Sequence, residues 1–267
     1  VASLSQLSEN KMLADCDVDA PNLHILIDGK TLEENEFRGA DEAVIDKDKC
    51  FGCGGCRSIC RFNAISENFD IIPFRCEGCG ACALICPAGA VHVEEVRTGK
   101  TFVSKTQRGI FSHALLDIGA EGSGKLVTEV RENAKKYEKT EDWLLIDGSP
   151  GIGCVVIASI TGANAVVAVA EPTKSGIGDL ERVLTVVSHF RIPGYVCINK
   201  YDLNPDITAE IENYCAENGF TVIGKIPFEP KIVKALREFK TPVDAGINNV
   251  ADEIRNIWNK IRTELKQ

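Results

Sequence analysis

The sequence predicts an α/β protein in which a mostly parallel sheet is flanked by helices, with a small α+β domain inserted into it. Three observations support this fold class. Short apolar segments of strand length alternate with longer segments of helical periodicity. Several of these apolar segments end in an aspartate or an asparagine, at the position where open α/β sheets bind their ligands. A block containing eight cysteines interrupts the alternation after the first strand.

The composition is that of a globular chain of 267 residues with 44% hydrophobic residues, which is enough for one large core or two smaller ones. The net charge of -9 argues against general binding to nucleic acid or anionic membranes. Residues 151–170 carry no charge. Because Gly162 and Asn164 divide this span, we expect a buried helix and a buried strand there instead of a membrane helix. We therefore expect a cytoplasmic protein without nucleic-acid or membrane partners.

The spacing of the cysteines predicts iron-sulfur clusters. The pattern C-x2-C-x2-C-x3-C occurs twice, and the second run follows the first at an interval of 26 residues. In bacterial ferredoxins with this double spacing, the first three cysteines of each run bind one 4Fe-4S cluster and the fourth binds the other. We assign one cluster to Cys50, Cys53, Cys56 and Cys86, and the other to Cys76, Cys79, Cys82 and Cys60.

Two other uses of cysteine compete with this assignment. A disulfide framework requires an oxidising compartment, which the ordinary cytosolic composition does not indicate. Paired C-x2-C motifs also build zinc sites, but zinc does not explain the third and fourth cysteines of each run. One departure from the ferredoxin pattern is that Arg61 follows Cys60, whereas the expected Pro87 follows Cys86.

Carboxylates at two strand ends suggest a metal-nucleotide site. Asp15 and Asp17 lie in the segment D-C-D-V-D-A-P-N, after a strand that begins at Lys11. Open α/β sheets bind ligands at such ends, although a solvated acidic turn explains the segment equally simply. Asp147 ends an apolar strand and precedes a glycine-rich loop, as the magnesium-binding acid of phosphate-loop NTPases does.

Two further loops have the character of nucleotide loops. In N-K-Y-D, Asn199 can bond a purine edge and the stem of Lys200 can cover the ring, while Asp202 suits the two donors of guanine that adenine lacks. GTP therefore stays beside ATP as a candidate. The segment G-A-E-G-S-G-K, residues 119–125, lacks the hydroxyl residue of a true phosphate loop. It predicts either an anion site or a simple helix-entry turn.

The order of these motifs resembles the MinD/ParA/nitrogenase-iron-protein class of P-loop ATPases, and in particular its members with an inserted ferredoxin domain. The resemblance implies an ATPase domain in two parts, residues 1–43 and 96–267, around a ferredoxin domain at 44–95. Short strands at residues 44–45 and 91–93 can pair and bring the ends of the insert together. The motifs that carry the resemblance are D-C-D-V-D-A-P-N, the eight cysteines, G-S-G-K-L-V, D-G-S-P-G-I-G-C, E-P-T-K-S-G, N-K-Y-D and I-P-F.

The resemblance also implies roles for individual residues. Asp15 and Asp17 would lie near Mg²⁺ and the attacking water, with Asp17 as the catalytic carboxylate. Asp147 would act on Mg²⁺ through water. The nucleotide base would be held by Asn199 together with the backbone near Pro227 and Phe228.

Two departures from the class concern its start and its bridging cluster. The class opens with a strand and a loop of the type K-G-G-x-G-K-T-T. The sequence from Val1 onward does not contain this loop near its start, and we expect the natural chain to carry it upstream. Cys154 occupies the position of a cysteine that holds a cluster across the nitrogenase iron-protein dimer. Its companion would fall near Ala120 and is absent, so we expect Cys154 to be a buried structural thiol.

The resulting functional hypothesis is a homodimeric ATPase with two 4Fe-4S clusters that couples ATP and Mg²⁺ to electron transfer with a protein redox partner. The alternative is an ATP-dependent carrier that matures a metalloprotein client. The two hypotheses differ in whether electrons or the clusters themselves leave the protein.

Overall fold

The computed structural model describes residues 1–139 and 143–265. The chain divides into two compact units. The larger unit comprises Val1–Glu34, Thr101–Ala114 and Gly122–Gln267, and the smaller unit comprises Asn35–Lys100 and Leu115–Glu121. The smaller unit, called the cysteine unit below, contains both cysteine runs and is wider than residues 44–95. The boundaries of the insert therefore stay a prediction.

The strands of the described chain form two sheets. One has the order β2-β3-β4-β1-β5 and the other the order β6-β7-β8. Strand β1 is parallel to β4 and β5, and β7 is parallel to β6 and β8. The parallel strands that the apolar segments predict are thus present. Their bounds are β1 Lys11–Cys16, β2 Gly29–Ile45, β3 Val91–Thr106, β4 Gly109–Leu116, β5 Trp143–Gly148, β6 Val166–Ala170, β7 Gly194–Asn199 and β8 Thr221–Ile226.

Polar side chains at the helix starts explain where several helices begin. Ser123 and Thr173 accept hydrogen bonds from the amides of Leu126 and Gly176 at the starts of two long helices. The helices are α1 Leu4–Leu7, α2 Leu23–Leu26, α3 Gly55–Ile59, α4 Ala81–Ile85, α5 Gly124–Lys135, α6 Cys154–Ile160, α7 Lys174–His189, α8 Pro205–Glu217, α9 Lys231–Arg237 and α10 Asn248–Glu264.

The three-stranded sheet of the larger unit has an apolar core on each face. On one face Val196 of β7 packs with Leu184 of α7 and Ile211 of α8. On the other face Ile257 and Trp258 of α10 pack with Tyr195 and Cys197 of β7 and with Trp143 of β5. The apolar stripe of the last helix, from Val250 to Ile261, is buried.

Strands β2 and β3 differ from the prediction. They have 17 and 16 residues, whereas the sequence predicts only short strands at 44–45 and 91–93. Most side chains of β2 are exposed and polar, so the apolar pattern that marks a buried strand is missing. The predicted pairing at the ends of the insert is present, since the Asp46 amide donates to the Ala90 carbonyl over 2.7 Å.

The uncharged span at 151–170 forms helix α6 and strand β6, as predicted. Among the described residues, no helix combines the length and the apolarity needed to cross a bilayer.

Candidate functional sites: two cysteine pockets and a carboxylate edge

The two cysteine runs share one backbone frame. Gly54 and Gly80 precede α3 and α4 with left-handed φ values of 76° and 73°, a conformation that glycine adopts without steric cost. Each five-residue helix buries the third cysteine of its run. The fourth cysteine, Cys60 or Cys86, ends the helix and accepts the amide of Ala64 or Ala90 over 3.4 Å or 3.3 Å. The 26-residue interval of the sequence is therefore an internal repeat of structure.

The four cysteines that sequence reasoning assigns to each cluster line one pocket together. In each pocket, three cysteines come from one run and the fourth comes from the other. Apolar side chains surround these thiols, including Phe69 and Val91 in the first pocket and Ile65 and Ile71 in the second. The first pocket is lined by Cys50, Cys53, Cys56 and Cys86, and the second by Cys76, Cys79, Cys82 and Cys60.

The environment of the thiols fits a 4Fe-4S cluster. Burial raises the pKa of the Cys56 and Cys82 thiols, because it disfavours the charged thiolate. A bound metal centre would offset this cost of forming the thiolate. Backbone hydrogen bonds, that of Ala90 first, lower the pKa of Cys86. In the described residues no three His, Cys, Asp or Glu side chains are grouped around a single-ion position. Each set of four thiols instead surrounds an apolar pocket, as cluster ligation requires.

The side chains that line the two pockets break the repeat. Ala43 lines the second pocket, where its amide donates to Cys76 Sγ over 3.4 Å, and Phe69 takes the equivalent place in the first. Phe51 lines the first pocket and Glu77 the second. Cys53 and Cys79 are exposed, so each pocket has one thiol at the surface.

The carboxylate edge lies at the carboxyl ends of β1 and β5. Asp15 faces Asp147 in the register of these parallel strands. Asp15 is 1% exposed, and its two oxygens accept the amides of Asp17 and Leu23 over 3.2 Å and 3.1 Å. Its carboxylate therefore shapes the loop 15–23. Burial, and then the facing Asp147 carboxylate, raise the pKa of Asp15 to about 7.

The other two acids of this edge, Asp17 and Asp147, are less buried than Asp15. Burial raises the pKa of Asp147. Ser149 donates to the Cys16 carbonyl over 3.0 Å and so ties the loop after β5 to the end of β1. Facing, partly buried carboxylates fit a divalent cation, because it would offset the cost of their burial.

The predicted base loop lies at the carboxyl ends of β6, β7 and β8. Asn199 donates to Glu171 over 3.4 Å, and Lys200 forms an ion pair with the same carboxylate over 2.6 Å. Asp202 accepts the amide of Phe228 over 2.7 Å and so joins the loop after β7 to the Pro227–Phe228 loop. Sequence reasoning gives no role to Glu171, although it stands at a strand end in E-P-T-K-S-G.

Two predictions about loops concern helix starts. Residues 119–125 lead into α5, where Ser123 caps the helix and the amide of Gly122 donates to Asp19 over 2.7 Å. Anion binding by this turn stays a prediction. The expectation that Cys154 is buried is wrong. Cys154 is exposed at the first position of α6, since the glycine-rich loop before it leaves this end of the helix uncovered.

Comparison with known proteins supports these observations. The family model for the 4Fe-4S binding domain matches residues 43–66 and 69–92, one match per cysteine run. Uncharacterized protein MJ0578 of Methanocaldococcus jannaschii is 31% identical over 98% of this chain and 89% of its own length. The chain therefore belongs to the same family as MJ0578. Uncharacterized ATP-binding protein MJ0685 of the same organism is 23% identical over 64% of this chain and 73% of its own.

The fold is that of the MinD/ParA class. The septum site-determining protein MinD of Pyrococcus horikoshii, complexed with Mg-ADP, is 13% identical and matches 97% of this chain and 86% of its own with a TM-score of 0.55. A ParA family ATPase from Chlorobium tepidum is 11% identical and matches 96% of this chain and 88% of its own with a TM-score of 0.52. The predicted fold class, a MinD-like α/β fold with an inserted ferredoxin-like segment, is confirmed.

Proposed function

We propose that the protein binds two 4Fe-4S clusters and a nucleotide with Mg²⁺, and that it couples ATP binding and hydrolysis to one-electron transfer to a protein acceptor. In this proposal the ferredoxin domain at 44–95 interrupts an ATPase domain formed by residues 1–43 and 96–267. The clusters supply the redox chemistry, and the eight cysteines of the two pockets hold them.

The nucleotide end of the proposal depends on the acids of the carboxylate edge. In this proposal Asp147 would act on Mg²⁺, and Asp17 would orient the water that attacks the γ-phosphate. Asp15 holds the loop that carries Asp17, since both of its oxygens accept backbone amides. A nucleotide is further supported by the relative MJ0685, whose name describes it as ATP-binding.

The base loop favours ATP over GTP. Recognition of guanine by Asp202 would need both carboxylate oxygens for the two donors of the base. One of these oxygens already accepts the Phe228 amide, so guanine would have to share this oxygen with the backbone. Asn199 and the backbone at Pro227 and Phe228 would then hold the base. Lys200 could cover the base only if its ion pair with Glu171 breaks.

The gap between the two sheets supports a further strand in the ATPase domain. In the described residues β5 pairs only with β1, and β6 only with β7, yet the core around Trp258 includes both Leu145 of β5 and Val167 of β6. An open edge on each sheet leaves backbone donors and acceptors unpaired. In this proposal a further strand pairs with both edges.

The coupling between nucleotide and clusters is supported by the order of the elements along the chain. The chain leaves the carboxylate loop 15–23 through α2 and enters the cysteine unit along β2. A loop that reports the γ-phosphate is a common switch element. A nucleotide-dependent change in the loop 15–23 is thus passed on by a short covalent path, and a homodimer that closes around two nucleotides would displace both cysteine units.

The experiment is a redox titration of the natural full-length protein, with both clusters loaded, in the presence of Mg-ATP, Mg-ADP or Mg²⁺ alone. The proposal predicts a midpoint potential that depends on the nucleotide and oxidation by the acceptor that is faster with ATP. Titrations that coincide in all three conditions contradict it. Binding of ATP and GTP measured on the same samples tests the base preference.

A second function, ATP-dependent delivery of clusters to a client protein, is favoured by the exposed thiols of Cys53 and Cys79. The two functions separate when loaded protein is mixed with an apo-ferredoxin and Mg-ATP. A carrier passes iron to the acceptor in an ATP-dependent manner, whereas an electron-transfer protein keeps its iron through repeated redox cycles.

A further inference from the structure

The segment Asp117–Ser123, called the relay segment below, leads from β4 to α5 and is held at both of its ends. The Asp117 carboxylate pairs with Arg97 over 2.9 Å, and its amide donates to the Thr98 carbonyl over 2.9 Å. Ser123 caps α5 through the amide of Leu126. Each end of the segment is therefore held by contacts within its own compact unit.

Near its start, the relay segment touches the loop that carries Cys76. Gly119 has a left-handed φ of 82°, and a Cβ placed on it would lie 2.8 Å from Cδ1 of Phe74. The Phe74 ring thus lies directly on the glycine backbone, although 80% of this residue is exposed. Phe74 itself has a φ of 61°, a strained value for a bulky residue. Both residues have a positive φ at this contact, and Phe74 lies two positions before Cys76.

Near its end, the relay segment touches the carboxylate loop. The amide of Gly122 donates to Oδ1 of Asp19 over 2.7 Å. A Cβ on Gly122 would lie 2.6 Å from that oxygen and 2.6 Å from Cγ2 of Val18. Asp19 is exposed and lies between Asp17 and Leu23, in the loop that Asp15 shapes. A movement of this loop therefore acts directly on the backbone of Gly122.

We propose that the relay segment couples the carboxylate loop to the second cysteine pocket, with Asp19 and Phe74 as positioning residues at its two ends. This inference rests on the proposed function. Only Ala120 and Glu121 separate the two contacts, so a shift of Gly122 reaches Gly119 through three covalent residue steps. Each contact is too close to admit a Cβ, so in this proposal a shift of the segment displaces Phe74 and, through it, the loop of Cys76.

The proposal makes the two pockets unequal in their response to nucleotide. Cys76 belongs to the second pocket, and in the first run the residue equivalent to Phe74 is Asp48, a small acid in the turn before Cys50. The cluster of the second pocket is expected to change its EPR spectrum and potential on addition of Mg-ATP, and the cluster of the first pocket to change less.

The test uses the natural full-length protein with loaded clusters and the variants Asp19→Ala and Phe74→Ala. Both variants should reduce the ATP-dependent potential shift of the second-pocket cluster by at least about twofold, while the affinity for Mg-ATP changes by less than about threefold. Hydrogen exchange gives a readout independent of the clusters. Addition of Mg-ATP should change the protection of residues 72–77 in the wild type and leave it unchanged in both variants.

Matched controls exist for both substitutions. Asp28 is an exposed aspartate whose Oδ1 accepts a glycine amide over 2.8 Å, and Phe239 is 65% exposed with a φ of 56°. The variants Asp28→Ala and Phe239→Ala should retain the full response. A wild-type response that persists in Asp19→Ala and Phe74→Ala overturns the relay and leaves the proposed function intact. A wild type without any response to Mg-ATP overturns both.

Discussion

The cysteine unit and the carboxylate edge are organised in opposite ways. In the cysteine unit the backbone of the first cysteine run is repeated 26 residues later, from the left-handed Gly54 and Gly80 to the short helices that follow them. At the carboxylate edge each acid makes different contacts. Asp15 accepts two backbone amides, and Asp147 lies opposite it on the neighbouring strand. In the base loop, Asp202 joins two loops.

This difference indicates how each region should respond to substitution. Equivalent cysteines of the repeat should give separable effects of similar size, each on one cluster. Acids of the carboxylate edge should give effects that differ in kind, because none replaces another. The following predictions test that contrast, from the largest expected effect to the smallest.

Removal of a crossing cysteine should remove the cluster of the other run. Cys86→Ser takes a ligand from the first pocket, and Cys60→Ser takes one from the second. Each variant should lose about half of its iron and one of two EPR signals. The variants should lose different signals. If Cys86→Ser instead has the same residual spectrum as Cys79→Ser, the runs bind their own fourth cysteine and the crossed assignment is wrong.

Neutralisation of Asp17 should abolish hydrolysis without abolishing binding. Asp17→Asn keeps the size of the side chain but cannot accept a proton from water. The rate of phosphate release should fall about 100-fold or more, with an affinity for Mg-ATP within about threefold of the wild type. Asp28→Asn is the matched control, because Asp28 is an exposed aspartate eleven residues further along the chain. Unchanged phosphate release in Asp17→Asn would remove Asp17 from the catalytic role.

Asp15 should make the nucleotide-free protein less stable as the pH rises. Its pKa is raised from 3.8 to about 7 in the folded state, so between these values the folded protein holds a proton that the unfolded chain has lost. The free energy of unfolding then falls with rising pH. Between pH 5 and 8, the free energy of unfolding measured in urea should fall by roughly 2 kcal/mol less in Asp15→Asn than in the wild type. Parallel curves for the two proteins would contradict the assignment.

The smallest effect concerns the side chains that break the cysteine repeat. Glu77 lines the second pocket where Phe51 lines the first, and a nearby negative charge disfavours reduction. Since Glu77 is exposed, screening limits its effect, and Glu77→Gln should raise the potential of the second-pocket cluster by about 30 mV. The first-pocket cluster serves as the internal control. Equal shifts of both clusters would show that the charge acts on the whole unit.

The cysteine unit was predictable to the extent that its information is local. Ligand spacing, the two glycines and the crossing fourth cysteine all follow from a pattern that repeats within 40 residues or so. The strands of the larger unit were predictable because apolar runs mark buried strands. Strands β2 and β3 were not, because their polar, exposed side chains carry no such mark.

The parts of the site that sequence reasoning missed depend on tertiary contacts. The pairing of Asp15 with Asp147 is set by strand register, and Glu171 acquires its role from Asn199 and Lys200 on a neighbouring strand. Asp19 lay within a motif, yet its partner Gly122 is 103 residues away. The left-handed backbone of Phe74 has no signal in the sequence, since bulky residues rarely adopt it.

The most direct test of the coupling is the affinity of the natural full-length protein for Mg-ATP, measured with the clusters fully oxidised and again fully reduced. Coupling between two sites is reciprocal, so a nucleotide that shifts the cluster potential must bind the two redox states differently. A tenfold difference in Kd corresponds to about 59 mV for a one-electron couple. We predict distinct Kd values for the oxidised and reduced protein. Identical Kd values would contradict the central claim that nucleotide and clusters are coupled.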